Sequence, residues 1–264
     1  LVLLRLPYNS PDGFKKAEQV MKFINDEALE VSEDLAKTRG VFPNWKDSIF
    51  DYQGPYFRGE EYRPRHCART TIAPTGTIGI TAGLQGAGIE PFFAIVYTRY
   101  NAKALDAIKL GQTPDEKDVF YEINPLFKKI AEESDYFGFE PSDLWDRIDK
   151  NHKSLLGIDE IPEEIQQLFL TSHDLTPEDH VCMQAAFQKY TNNAVSKTIN
   201  FKHEASIDDV DRSYKLAFSL GCKGITIYRD GSKAQQVLNL SPQQKMAQKT
   251  MILTHTGSQA LVFQ

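Results

Sequence analysis

The sequence predicts an α/β protein. Three observations carry that expectation. Apolar residues recur at helical spacing behind recognisable cap residues, short β-branched runs lie between those stretches, and the composition is that of an ordinary globular chain. Of its 264 residues, 41% are hydrophobic and 25% charged, enough to bury a sizeable core. Strands that alternate with helices favour some parallel pairing.

In order along the chain, Ser10-Pro11-Asp12 opens a long helix with a hydroxyl cap, a proline in the first turn and an early acid. Phe14, Ala17, Val20, Met21, Ile24, Ala28, Val31 and Leu35 form its apolar face, and Gly40 stops it. Residues 41–66 mix proline, glycine and aromatics and predict an irregular crossing segment. Ala68–Ala73 predicts a strand, and so does Pro91–Arg99. Asn124–Glu133 predicts a short helix with Pro125 in its first turn, and residues 134–175 predict short helices at the edge of the fold. Thr176-Pro177-Glu178-Asp179 caps a helix running to about Tyr190. Ser196–Phe201 predicts a strand, Ser206-Ile207-Asp208-Asp209 opens a helix that ends at Gly221, and Gly224–Tyr228 predicts a strand. Residues 1–240 are expected to form one domain part, followed by a tail, 241–264, of unassigned structure. The chain lacks an initiating Met and is expected to enter in mid-domain.

Several function classes fall away. The formal net charge of -6 gives no basic field for nucleic acid. No apolar run approaches the roughly 20 residues of a membrane helix, and the opening LVLLRLPY lacks the flanks of a signal peptide. The three cysteines, Cys67, Cys182 and Cys222, form no CxxC pair, so neither a zinc site nor a disulfide framework is expected, and a reducing cytoplasm suits them. Each thiol reads best as a buried small hydrophobe. The histidines lack ligand spacing, so no metal site is expected. Lys197 reads as solvated or salt-bridged, and Tyr228 as a packing residue.

One segment points to chemistry: TTIAPTGTIGITAG, Thr70–Gly83. A β-rich run ends in Pro-Thr-Gly-Thr. Gly76 lets the backbone turn and approach a ligand without a Cβ in the way. Successive amides after such a turn can cradle an anion, a helical turn from Thr77 would add its free N–H groups, and the Thr75 and Thr77 hydroxyls are further donors. A diphosphate is the natural guest. The string lacks the Gly-Lys-Ser/Thr end of a Walker motif. On composition alone it fits a plain strand-to-helix turn as well.

Thr71–Ile78, then Ala82-Gly83, then Gly88-Ile89-Glu90-Pro91-Phe92-Phe93-Ala94, resemble the signature of the adenosylcobalamin-dependent (class II) ribonucleotide reductases. HVCMQAAFQKYTNNAVSKTINF (180–201) resembles a second block of that family, GCKGITIYRDGS (221–232) a third, and Leu6-Pro7-Tyr8-Asn9-Ser10 the segment that precedes them. Order and approximate spacing agree over residues 1–240.

The resemblance implies the C-terminal part of a ten-stranded α/β barrel. In that family a cysteine thiyl radical removes the ribose 3′ hydrogen, the 2′ hydroxyl leaves as water, and a cysteine pair supplies the electrons. Adenosylcobalamin generates the radical. The carry-over assigns Pro74, Thr75, Gly76, Thr77 and Ile78 to the substrate phosphates. Glu90, between Gly88-Ile89 and Pro91, reads equally as a carboxylate that orients that loop by accepting amide bonds or as an acid that caps a helix or turn. Implied partners are a ribonucleoside di- or triphosphate, a thioredoxin-type reductant, an N-terminal reductase segment or subunit, and a second copy in a homodimer of the full enzyme. Half a barrel would expose strand edges that such a segment must cover.

The chain also departs from the pattern. The radical cysteine with its neighbouring Asn and Glu, at least one of the reducing cysteines, and the effector site belong to a segment N-terminal to these blocks, so no catalytic residue is assigned here. The family's C-terminal cysteine pair is absent. Leu84-Gln85-Gly86-Ala87 stands where the family has Cys-Ser-Ser, one residue longer, and Gly79 stands where Ser is common. Two other readings stay open: a non-catalytic module that binds nucleotide diphosphates, and a fragment of a class I reductase.

Overall fold

The computed structural model describes residues 1–82, 86–136 and 141–232. In chain order the helices are α1 (Pro11–Arg39), α2 (Gly76–Thr81), α3 (Ala102–Lys109), α4 (Pro125–Glu133), α5 (Pro141–Lys150), α6 (Glu163–Leu168), α7 (Pro177–Gln188) and α8 (Ile207–Ser219). The strands are β1 (Val96–Tyr100), β2 (Val119–Ile123), β3 (Thr198–Phe201) and β4 (Thr226–Arg229). One compact unit comprises Leu1–Phe93 with Glu163–Asp230, and a second contains Ala94–Pro162.

In the first unit the predicted caps explain the helix starts. The Ser10 side chain accepts from Gly13 N at the head of α1, and Gly40, at φ 74°, ends it. Thr176 with Asp179 and Ser206 with Asp209 form full capping boxes on α7 and α8, satisfying N–H groups that the helix leaves free. Strands β3 and β4 pair in parallel, Thr198 with Thr226 through Phe201 with Arg229, and α8 is the crossover between them. Val181, Ile199, Phe201 and Ala217 are buried together where α7 and α8 cover β3, with Ile225 and Ile227 packed against them. A second cluster, Ala17, Met183 and Ala186, joins α1 to α7. The predicted apolar face of α1 is only partly covered: Ala17 and Met21 are buried, whereas Val20, Ile24 and Val31 remain exposed.

Two predicted strands come out differently. Ala68–Ala73 makes one parallel bridge, Ile72 to Val195, instead of a ladder. Beside one further backbone bond, Asn193 N to the Thr70 carbonyl, side chains make the other contacts: Arg69 N donates to Asn192 Oδ1, Asn192 N to Thr70 Oγ1, and Thr71 Oγ1 to the Ala194 carbonyl. Pro91–Arg99 divides between the units. Phe92 bridges to Thr171 in the first, and β1 begins only at Val96 in the second.

The second unit is a β1–β2 antiparallel pair, Val96 with Ile123 through Tyr100 with Val119. Asn101 caps α3 by accepting from Ala104 N, and its amide donates to Asp118 Oδ1. Asn124 caps α4, while α5 and α6 are among the short helices expected in 134–175, α6 lying in the first unit. Neither α3 nor β2 was anticipated from the sequence. Among the described residues the sheets are two-stranded and do not close into a barrel. The tail from 241 and the substituted stretch at Leu84-Gln85 lie outside the described residues.

Candidate functional site

The phosphate-loop candidate leaves the Ile72 bridge, turns through Pro74 and Thr75, and becomes α2 at Gly76. Thr75 sits at φ 52°, a left-handed conformation uncommon for a threonine and concentrated at functional sites. Its carbonyl accepts from Gly79 N at 2.7 Å. That bond starts the helix, so the amides of Gly76, Thr77 and Ile78 in its first turn have no intrahelical acceptor. Gly76, Thr77 and Ile78 are exposed and Thr75 half-buried. Among the described residues a Cβ at Gly76 would meet nothing within 4 Å. At Gly79 a Cβ would sit 3.0 Å from the Gly86 carbonyl, a close approach that suits glycine where the related pattern has Ser.

Behind the loop runs Gly88–Pro91. Gly88, at φ 59°, lies so close that a Cβ there would stand 2.8 Å from the Ala73 carbonyl and 3.7 Å from Thr75 Oγ1. Only glycine fits both the space and the dihedral. The next residues are held from several sides. Tyr8 OH donates to the Ile89 carbonyl at 2.6 Å. Glu90 Oε1 accepts from Thr198 N at 2.6 Å, and Glu90 Oε2 pairs with Lys197 Nζ at 2.8 Å.

Lys197 is fully enclosed, its side chain 0% exposed against 23% for Glu90. Its ammonium has three protons and three acceptors: Glu90 Oε2 at 2.8 Å, His180 Nδ1 at 2.8 Å and the Thr198 carbonyl at 3.1 Å. The tautomer of His180 follows from this network. Nε2 faces the Ser172 carbonyl at 3.1 Å, which only accepts, so Nε2 carries the proton and Nδ1 offers its lone pair to Lys197. Burial and the neighbouring Lys197 charge push the His180 pKa down to about 3, so the ring is neutral. Burial also lowers the Lys197 pKa, opposed by the Glu90 carboxylate. The Tyr8 phenol is raised well above its ordinary value, first by burial and then by Glu90.

Pro74, Thr75, Gly76, Thr77 and Ile78 therefore come together on one open turn. Glu90 lies behind it and accepts from Thr198 and Lys197; no loop amide is among its bonds described here. The salt-bridged reading of Lys197 holds. Sequence reasoning missed Tyr8, His180 and Ser172. Their signal was faint: a His and a Lys seventeen positions apart have no spacing rule, because the contact is made by α7 packing on β3. Cys67 is exposed, and burial raises the thiol pKa of half-buried Cys182 and Cys222, which disfavours the reactive thiolate. Tyr8, Glu90, Leu170, Met183 and Phe187 are among the residues lining an apolar cavity of about 250 Å³.

Residues 1–228 match the family described as ribonucleotide reductase, barrel domain. This chain belongs to that family. The vitamin B12-dependent ribonucleoside-diphosphate reductase of Thermoplasma acidophilum is 39% identical over 238 residues, 90% of this chain and 28% of the relative. The enzyme of the same description from Mycobacterium tuberculosis is 36% identical over 249 residues, 94% of this chain and 32% of the relative. The chain thus spans under a third of those reductases. Among solved structures, the class Id ribonucleotide reductase alpha subunit of Actinobacillus ureae superposes with a TM-score of 0.65 at 19% identity, covering 88% of this chain and 37% of that one. That likeness shows the reductase barrel fold. Among the described residues no helix is long and apolar enough to cross a membrane.

Proposed function

We propose that this chain is the phosphate-anchoring part of a cytoplasmic, adenosylcobalamin-dependent ribonucleotide reductase, with residues 1–240 contributing to a ten-stranded barrel. The observation that carries the reading is the turn at Thr75–Ile78, whose first-turn amides have no intrahelical acceptor and where, among the described residues, a Cβ at Gly76 would meet nothing within 4 Å. The amides of Gly76, Thr77 and Ile78 and the hydroxyls of Thr75 and Thr77 hold the diphosphate of a ribonucleoside di- or triphosphate, and Pro74 sets the turn's entry. Glu90 supports the loop from behind.

The chemical contribution is positioning. Hydrogen abstraction from a ribose needs the sugar held in a near-attack geometry, and a charged tail gripped by preorganised amides provides it. The radical cysteine belongs to an N-terminal segment or subunit, and a thioredoxin-type reductant returns the electrons. When bound, adenosylcobalamin supplies the radical. The cavity of about 250 Å³ behind the loop is below the roughly 300–1,000 Å³ of small-molecule sites and far too small for a corrinoid. Exposed Val20, Phe23, Ile24 and Val31 on α1 support the expectation that an N-terminal segment, in a homodimeric enzyme, covers this face.

Adding an N-terminal family fragment, adenosylcobalamin, a thioredoxin-type reductant and a ribonucleoside diphosphate to the chain should yield deoxynucleotide. Nucleotide binding without product would leave a non-catalytic binding module. Product that depends on a diiron subunit in place of cobalamin would make it a class I part.

A further inference from the structure

We propose that Lys197, clamped between Glu90 and His180, is the positioning residue of the phosphate loop. The inference rests on the loop assignment above and says what fixes the loop's shape.

The contacts close a ring. Ile72, at the loop's entry, is bridged to the stretch just before β3: Ile72 N donates to the Ala194 carbonyl at 3.4 Å and Ser196 N to the Ile72 carbonyl at 2.8 Å. The next two residues of that stretch, Lys197 and Thr198, grip Glu90 through Nζ and a backbone amide. Two residues before Glu90, Gly88 lies against Ala73, Pro74 and Thr75. The loop is therefore held on both sides by one short strand, directly at Ile72 and through the Gly88–Glu90 buttress. Lys197 is the point where the second path meets the first.

Each partner of Lys197 has a distinct part. Glu90 is the group being located. His180, on α7, presents an acceptor that fixes where the ammonium stands, and its own proton is spent on the Ser172 carbonyl. Tyr8 braces the same buttress from the N-terminal side, with its ring 5.7 Å from Nζ. No member of the clamp is exposed in front of the turn, so none is offered to the phosphates themselves. A buried network with every ammonium proton satisfied is rigid and specifies one geometry.

The test is amide hydrogen exchange at residues 72–79 together with binding of inorganic pyrophosphate, on the full chain. Lys197→Met keeps the length of the side chain and leaves a carboxylate that still reaches solvent. It should speed exchange at the Gly79 amide about 10-fold, the opening of a locally ordered segment, and weaken pyrophosphate by a similar factor, while exchange in β1 and β2 stays unchanged. His180→Asn, which keeps an acceptor, should behave as wild type, whereas His180→Leu should follow Lys197→Met. If Lys197→Met lowers only the unfolding midpoint and leaves loop exchange at the wild-type rate, Lys197 is a stability residue and the inference is overturned. If Lys197→Met does not fold, the His180 pair decides: equal loop exchange in Asn and Leu variants overturns it. Faster loop exchange with no pyrophosphate binding even in the wild type would uphold the clamp's control of the loop's geometry and remove the phosphate assignment.

Discussion

The proposed phosphate loop and the clamp behind it are built in opposite ways. The loop is exposed, carries no charged side chain between Pro74 and Ile78, and presents backbone groups to open space. The clamp is enclosed and saturated: each proton of the Lys197 ammonium has an acceptor, and the neighbouring imidazole is neutral. Groups that grip a ligand must be left unsatisfied, and unsatisfied backbone does not hold its own shape. The shape is imposed from behind, by polar groups that burial makes costly to separate.

Breaking the clamp should therefore cost more stability than altering the loop. Glu90→Gln strands the Lys197 ammonium in the interior, and denaturant unfolding should show a loss of about 3–5 kcal/mol, the usual result of removing one partner from a buried pair. Lys197→Met should cost less, because the carboxylate it leaves is 23% exposed.

Acid should act through His180. Its folded pKa of about 3 lies below the ordinary 6.5, so the unfolded chain takes up a proton that the folded chain refuses. Stability is full above pH 6.5 and falls as pH drops towards 3, by up to about 1.4 kcal/mol per pH unit. The neighbouring Lys197 and His173 push the His180 pKa in the same direction. His180→Asn should flatten the slope in this window, measured as unfolding free energy against pH.

Smaller losses belong to the buttress and the caps. Gly88→Ala meets both a left-handed φ of 59° and the Ala73 carbonyl, and about 1–3 kcal/mol should be lost. Thr176→Ala removes an exposed capping box on α7 and should cost about 1 kcal/mol, with no change in loop exchange.

The sequence made the caps, the long α1, α7, α8 and the β3–β4 strands legible, because each is specified by neighbours within a few positions. The turn at Pro74–Thr75 into α2 was legible for the same reason. The hairpin of β1 and β2 was only half seen: Val119-Phe120-Tyr121 carries a strand signal, but it lies close behind a helix that Asn101 starts, and the register is set by pairing. The clamp was illegible. Tyr8, Glu90, His180 and Lys197 come from four stretches of chain that only the packing of α1, α7 and β3 assembles. The strand expected at Ala68–Ala73 shortens to one bridge at Ile72, because the Asn192 and Thr70 side chains accept backbone N–H groups of the facing stretch in place of carbonyls.

The most direct measurement is a calorimetric titration of the chain with ADP, wild type against Gly76→Val. Among the described residues nothing lies within 4 Å of the valine Cβ, but the side chain fills the anion's approach. The account predicts saturable binding by the wild type and an affinity lowered by about 100-fold or more in the variant, roughly 2.7 kcal/mol, with the same unfolding midpoint. Equal affinity in the two would place the phosphates elsewhere and contradict it.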